Sequence, residues 1–226
     1  MMSSEAAQVL GVSVRQVQRL TNAGRLDVVQ HVGRIAVLDA ASVHKLANFG
    51  IARGRSWNAR TVWAALALID GRDHVSLLSP SQLWHLRNRL RAMQPHDLVR
   101  KGRARATTIR YRASTSYLDQ LAPHLTLTAT SAIDTDPKLS KLFGLAGART
   151  ASLDGYLPGK NLTALVNQFF LVRDIEGNVT LRVTDDQYQK DQTASGATVA
   201  LDLADSTDLR QRAAGLRAMT RMMRKL

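Results

Sequence analysis

The chain has 226 residues, no cysteine and a formal net charge of +13. The lack of cysteine excludes disulfides, iron–sulfur clusters and thiolate zinc sites, and the charge indicates a polyanionic partner, most often nucleic acid. This charge is uneven, because residues 1–118 hold 18 Lys and Arg against 6 Asp and Glu, whereas residues 119–226 hold 13 against 12. The alternative to a polyanionic partner is a basic surface that is solvated and has no specific partner.

The first residues predict two short helices around a turn. Ser4 can cap a helix over Glu5–Leu10, and Gly11 then makes the turn. Ser13 can cap a second helix, which buries an apolar stripe at helical spacing: Val14, Val17 and Leu20. The opposite face carries only amides and positive charge: Arg15, Gln16, Gln18, Arg19 and Asn22.

A β-hairpin is predicted directly after the second helix. Gly24 supplies the left-handed residue that ends the helix. The runs Asp27–His31 and Arg34–Leu38 follow as strands, with a turn at Val32-Gly33. Two helices joined by a glycine turn, followed by such a wing, predict a winged helix-turn-helix domain over residues 1–50.

This segment resembles the excisionase and MerR-like DNA-binding families in several spaced features. The first helix is Ala-rich (Ala6-Ala7), a Gly-Val-Ser turn follows it (Gly11-Val12-Ser13), and the second helix ends in Gly-x-Leu (Gly24-Arg25-Leu26). A Val-Gly-Arg wing (Val32-Gly33-Arg34) comes next, and Asp39 precedes a small helix, Ala40–Phe49. The wing lacks the aromatic residue that often follows the arginine. The resemblance implies binding to double-stranded DNA.

The next residues repeat this order of elements. Gly50–Ser56 predicts a linker, Asn58 caps an apolar helix over Ala59–Ile69, and Ser79 opens a second helix from Pro80 to about Met93. An Arg-rich hairpin is expected to follow, so we predict a second winged module over residues 57–113. The alternative is a helical hairpin with a solvated basic edge.

The remaining residues, 114–226, alternate predicted strands and helices and have balanced charge, which favours an α+β domain around one sheet. The predicted fold class is therefore α+β, with two N-terminal winged helix-turn-helix modules before this domain. Its expected strands are Leu125–Thr128, Ala151–Leu157, a hairpin of Leu171–Asp174 with Val179–Thr184, and Thr198–Leu203; its expected helices are Pro137–Phe143, Asn161–Phe170 and Thr207–Lys225.

Chemistry-bearing motifs are scarce. No two histidines stand four residues apart, and no Gly-rich phosphate loop with Lys-Ser/Thr is present. Asp134-Asp136 and Asp185-Asp186 read as solvated loop acids, with a divalent-cation site as the alternative. We therefore expect no enzyme activity, cofactor or metal. No run approaches the ~18 apolar residues of a membrane span. Together with the family resemblance, this leads us to expect a cytoplasmic protein.

Contacts to DNA are predicted from side-chain chemistry. Arg15, Gln16 and Arg19 are predicted to contact base edges in the major groove, because arginine can bond bidentately to guanine and glutamine to adenine. Helix N-termini and other arginines are expected to contact phosphates. Arg34 on the wing is expected at the flanking minor groove or backbone. The candidate DNA-binding residues are Ser13, Arg15, Gln16, Gln18, Arg19, Arg34, Gln82, His85, Arg89, Arg103 and Arg105.

The overall layout, the run Ala197–Leu203 and the run Asp205–Gly215 resemble the AbiEi antitoxin family of type IV toxin–antitoxin systems. This resemblance implies an N-terminal domain that binds inverted repeats in its own promoter and a C-terminal domain that neutralises a nucleotidyltransferase-like toxin. Two other hypotheses stay open. One is a ligand-responsive transcription regulator with a sensor domain after residue 113, and the other is a nuclease that uses the paired aspartates.

Overall fold

We describe a computed structural model of the chain over residues 1–22, 25–33, 35–49, 56–72, 77–145, 151–185 and 193–226. The chain divides into two compact units, an N-terminal unit, Met1–Arg55, and a C-terminal unit, Ser56–Leu226. The predicted Gly50–Ser56 linker falls almost entirely outside the described residues, as do Gly24, Arg34 and Asp186. Over its described residues the chain is a mixed α+β protein with twelve α-helices and a five-stranded sheet.

The N-terminal unit follows the predicted order of elements. Its helices and strands are α1 (Ser3–Leu10), α2 (Val14–Asn22), β1 (Val28–Val32), β2 (Ile35–Leu38) and α3 (Ala40–Phe49). Gly11 ends α1 with a left-handed φ of 64°, which allows the tight turn into α2. The residue preceding α1 is Met2 rather than the predicted cap Ser4, which lies inside the helix.

A small apolar core holds these elements together. It joins α1, α2, the hairpin and α3 through eight buried side chains: Ala6, Ala7, Val17, Leu20, Leu26, Leu38, Val43 and Leu46. The two alanines allow α1 to approach its neighbours closely. Val14, predicted to share the buried stripe of α2, is instead 43% exposed, because only Val17 and Leu20 of that helix face the core.

The predicted hairpin is an antiparallel pair of β1 and β2, with Val32 opposite Ile35. Gly33 has a φ of 60°, as the tight turn requires. Asp39 caps α3 by accepting hydrogen bonds from the backbone N–H groups of Ala41, at 3.2 Å, and Ser42, at 2.8 Å. These contacts confirm the predicted hairpin and the small helix after it.

The C-terminal unit contains the remaining elements. In chain order they are α4 (Ala59–Ile69), α5 (Pro80–Arg91), α6 (Pro95–Lys101), β3 (Thr107–Arg112), α7 (Leu118–Leu121), β4 (Thr126–Leu127), α8 (Ala129–Thr135), α9 (Pro137–Phe143), β5 (Leu153–Pro158), α10 (Leu162–Gln168), β6 (Val172–Arg173), β7 (Val179–Thr184), α11 (Gly196–Ala204) and α12 (Leu209–Met223).

One sheet organises this unit, in the order β4-β5-β7-β3-β6. β3 pairs antiparallel with both β7 and β6, so it lies between the two strands that were expected to form a hairpin. That hairpin prediction is wrong. β5 and β7 pair in parallel, with α10 and β6 in the connection between them.

The predicted module over residues 57–113 is not confirmed. Its expected Arg-rich hairpin is a short 3₁₀ turn, Gly102–Arg105, followed by the single strand β3. Every strand that pairs with β3 comes from beyond residue 170. The expected boundary at residue 113 therefore separates no compact units, since residues 56–226 cluster together.

The helix α11 lies at the centre of the C-terminal unit. All residues from Ala197 to Ala204 are buried, and α11 contacts α4, α6, α8 and α12. The predicted strand Thr198–Leu203 is wrong, because a helix buried on every side is apolar all round and has no amphipathic period to reveal it. No described helix of either unit is long and apolar enough to cross a membrane.

Candidate nucleic-acid interface

The outward face of α2 carries polar and basic side chains, and the apolar core of the N-terminal unit holds this helix in place. Arg15, Gln18, Arg19 and Asn22 are exposed, whereas Val17 and Leu20 pack inward. With a helical rotation of about 100° per residue, the four polar positions fall on one arc opposite the two buried ones. Within the described residues neither Arg15 nor Arg19 forms an ion pair.

The start of α2 is capped as predicted. The Ser13 hydroxyl oxygen accepts a hydrogen bond from the backbone N–H of Gln16 at 3.2 Å. Gln16 and Val17 donate their backbone N–H groups to the Ser13 carbonyl. The N–H groups of Val14 and Arg15 precede these bonds and can receive an anion. Gln16 itself is half-buried, so among the two predicted glutamines Gln18 is the more accessible.

A groove of about 580 Å³ lies between α2, the β1–β2 hairpin and the start of α1. Val14 and Gln18 line it from α2, His31 from β1 and Ala36 from β2. The hairpin also exposes Gln30 and Val32 near its tip. Arg34, the predicted wing contact, lies outside the described residues.

The other predicted contacts belong to the C-terminal unit. Gln82, His85 and Arg89 are exposed on α5, and Arg103 is half-buried in the 3₁₀ turn. The Gln82 side-chain oxygen accepts a hydrogen bond from the Ser79 backbone N–H at 3.0 Å, and the Arg89 guanidinium carbon lies 5.4 Å from the centre of the Trp57 ring. Both side chains therefore already serve the fold.

Arg105 cannot contact DNA as predicted, because it is 4% exposed. Its guanidinium forms an ion pair with Asp202 of α11. It also donates hydrogen bonds to the Tyr156 hydroxyl at 2.9 Å and to the Gly102 carbonyl at 3.0 Å. This arginine belongs to the interior of the C-terminal unit.

Arg105 is part of a buried polar network that sequence analysis missed. Asp202 also accepts hydrogen bonds from the Tyr156 hydroxyl, at 2.9 Å, and the Thr128 hydroxyl, at 2.5 Å. Nη1 of Arg182 lies 3.3 Å from Oδ1 of Asp202. The same guanidinium donates two hydrogen bonds, of 2.7 and 2.8 Å, to the carboxylate of Asp154. Two arginines therefore face two aspartates, and the network connects α11 to β5 and β7.

Burial alone would raise the pKa of Asp202, but the charges of Arg182 and Arg105 outweigh it and hold that pKa below its ordinary value. Burial likewise raises the pKa of Tyr156, so its hydroxyl stays protonated and can donate to Asp202. The only signal in the sequence was Asp202 itself, a carboxylate within an otherwise small and apolar run.

Because the pKa of Asp202 is lowered in the folded state, the free energy of unfolding depends on pH. A carboxyl whose pKa is lower in the folded state stabilises the fold fully above its unfolded pKa, near 3.9, and loses that contribution as the pH falls through the folded value. We expect the free energy of unfolding of the wild-type protein to fall below about pH 4, and to fall less in Asp202→Asn. Urea titrations between about pH 3 and pH 7 measure this, and equal acid sensitivity in both proteins would contradict it.

Of the paired aspartates, Asp134, Asp136 and Asp185 lie within the described residues. Asp136 caps α9 by accepting a hydrogen bond from the Lys138 backbone N–H at 2.8 Å. No group of three His, Asp or Glu side chains that could hold a metal ion occurs among the described residues.

Comparisons with known proteins give the chain no family. No protein-family model matches it, and neither a curated protein nor a solved structure does.

Proposed function

We propose that the N-terminal unit is a winged helix-turn-helix domain that binds double-stranded DNA in a sequence-specific manner. The observation that carries this proposal is the outward face of α2, where Arg15, Gln18 and Arg19 are exposed together beside a β-hairpin. A helix of this composition fits the major groove, whose width accommodates an α-helix. The net charge of +13 favours a polyanionic partner as well.

Each side chain has a definite role in this proposal. The capped N-terminus of α2 faces a phosphate, which sets the register of the protein on the duplex. Arg15 and Arg19 bond to guanine O6 and N7, and Gln18 bonds to adenine N6 and N7. Helices that read DNA in this way contact base edges mainly through residues near their N-terminus, where Arg15 lies. The wing lies along the adjacent backbone.

On the AbiEi resemblance, we further propose that the chain is the antitoxin and autorepressor of a type IV toxin–antitoxin operon. The C-terminal unit would then neutralise a nucleotidyltransferase-like toxin, and the N-terminal unit would bind inverted repeats in the promoter. A neighbouring nucleotidyltransferase gene whose toxicity this chain suppresses would support the proposal, and a lone gene would count against it. The alternative is a ligand-responsive transcription regulator. A small molecule that releases the protein from its promoter would favour this alternative.

Substitutions on α2 test the DNA-binding proposal. We expect Arg15→Ala or Arg19→Ala to reduce the preference for the specific site by ~1–3 kcal/mol, because each loses a bidentate base contact. Band-shift titrations on the protein's own promoter and on random duplex, at several salt concentrations, measure this preference.

The comparison variant is Arg103→Ala, in the 3₁₀ turn of the C-terminal unit. If Arg103 meets only phosphate, its loss weakens binding evenly on both duplexes and flattens the slope of log affinity against log salt by about one unit. Equal losses on promoter and random DNA for the α2 variants would refute a base-reading role for that helix.

A further inference from the structure

Val14 is an apolar side chain on the otherwise polar and basic face of α2. It is the first residue of that helix and is 43% exposed. Gln18 follows one turn later, and residues four apart lie on the same side of a helix. Val14 and Gln18 both line the groove between α2 and the wing. An apolar group and an amide therefore stand side by side where the proposed function requires contact with base edges.

The major groove offers a matching pair of groups. An A·T pair presents the N6 and N7 atoms of adenine, which a glutamine side chain can bond, and the C5-methyl group of thymine, which apolar side chains contact. The rise between base pairs is about 3.4 Å, and neighbours four apart on a helix have Cβ atoms about 5–6 Å apart. Side chains at these two positions can therefore reach the same or adjacent base pairs.

We infer that Val14 packs on the C5-methyl group of a thymine in the major groove, beside the adenine that Gln18 bonds. This inference rests on the proposed function and deepens it, since it assigns an A·T step to one end of α2. Its physical basis is the removal of the valine and thymine methyl groups from water, an effect that hydrogen-bonding side chains alone cannot supply.

The test uses the full chain and a duplex selected from a random pool for tight binding. Each thymine of that duplex is replaced in turn by deoxyuridine, which lacks the methyl group. At one position next to an adenine, we expect wild-type affinity to fall about three- to five-fold, as for one buried methyl group. Val14→Ala should bind the thymine duplex about as weakly and lose nothing more on the uridine duplex.

Val9→Ala is the matched control, because Val9 is 38% exposed on α1 but does not line the groove. It should bind and respond to uridine as the wild type does. Circular dichroism of all three proteins verifies that the helices are retained, and the uridine series on the wild type does not depend on any substitution.

Three results would overturn the inference. They are a wild-type protein indifferent to every uridine, a Val14→Ala variant that binds as tightly as wild type, and a Val14→Ala variant that keeps the full response to uridine. Failure of the proposed function has a different signature, because the wild-type protein would then enrich no sequence from the random pool.

Discussion

Asp202→Ala is expected to lower the free energy of unfolding of the C-terminal unit by ~3–5 kcal/mol, because it leaves two buried guanidinium groups without their shared carboxylate. Arg105 and Arg182 both interact with Asp202, and their side chains are only 4% and 9% exposed. The hydroxyls of Tyr156 and Thr128 would lose their acceptor as well. Chemical denaturation followed by circular dichroism measures the loss.

An exposed ion pair provides the control for Asp202. Asp174 lies 2.5 Å from Arg112, whose side chain is 62% exposed. Arg112→Ala removes this pair but keeps Asp174, which also accepts a hydrogen bond from the Glu176 backbone N–H at 2.9 Å. It should change the unfolding midpoint little, because water and salt screen such a pair. Similar losses in Arg112→Ala and Asp202→Ala would show that the buried network does not have the special role in stability that we assign to it.

Gly215→Ala is expected to destabilise the same unit by about 3 kcal/mol, since the added methyl group has no space. A Cβ at Gly215 would lie 2.6 Å from the Ala200 carbonyl oxygen and in direct conflict with the backbone N of Ala204. These neighbours are backbone atoms of α11, so no side chain can rotate away. The loss would exceed the gain of about 1 kcal/mol in helix propensity that alanine brings over glycine.

Gly159→Ala is the matched control, with the same substitution at an exposed position. Its added Cβ would meet the Val183 side chain at 3.5 Å, which is an ordinary contact. Thermal unfolding should therefore give a midpoint close to that of the wild type. A Gly215→Ala protein as stable as wild type would mean that α11 and α12 pack less closely than described.

The N-terminal unit was predictable from sequence because its signals are local. Ser13 caps α2, Gly11 and Gly33 occupy positions with positive φ, and Asp39 caps α3, and each of these residues acts on neighbours a few positions away. The exposure of Val14 was not predictable in this way. Helical spacing allowed it to face the core, but Val14 is not among the residues that form that core or pack against it.

The C-terminal unit was less predictable because its determinants are distant in sequence. The pairing of β3 with β7 joins segments whose individual patterns say nothing about each other. Arg105 looked like a member of an exposed basic run, and its burial follows from Asp202, which is 97 positions away. Since α11 is buried on every side, its sequence has no alternation of apolar and polar residues at helical spacing, and the sequence therefore predicts a strand there.

The position of β3 between β7 and β6 has a consequence for biosynthesis. β3 leaves the ribosome about seventy residues before β7, the strand that covers one of its edges. Until β6 and β7 have been made, the backbone N–H and C=O groups of Thr107–Arg112 lack their partners in the sheet, whereas every described element of Met1–Arg55 has already emerged. We therefore expect nascent chains that stall between these strands to aggregate through this segment while the amino-terminal unit is already folded.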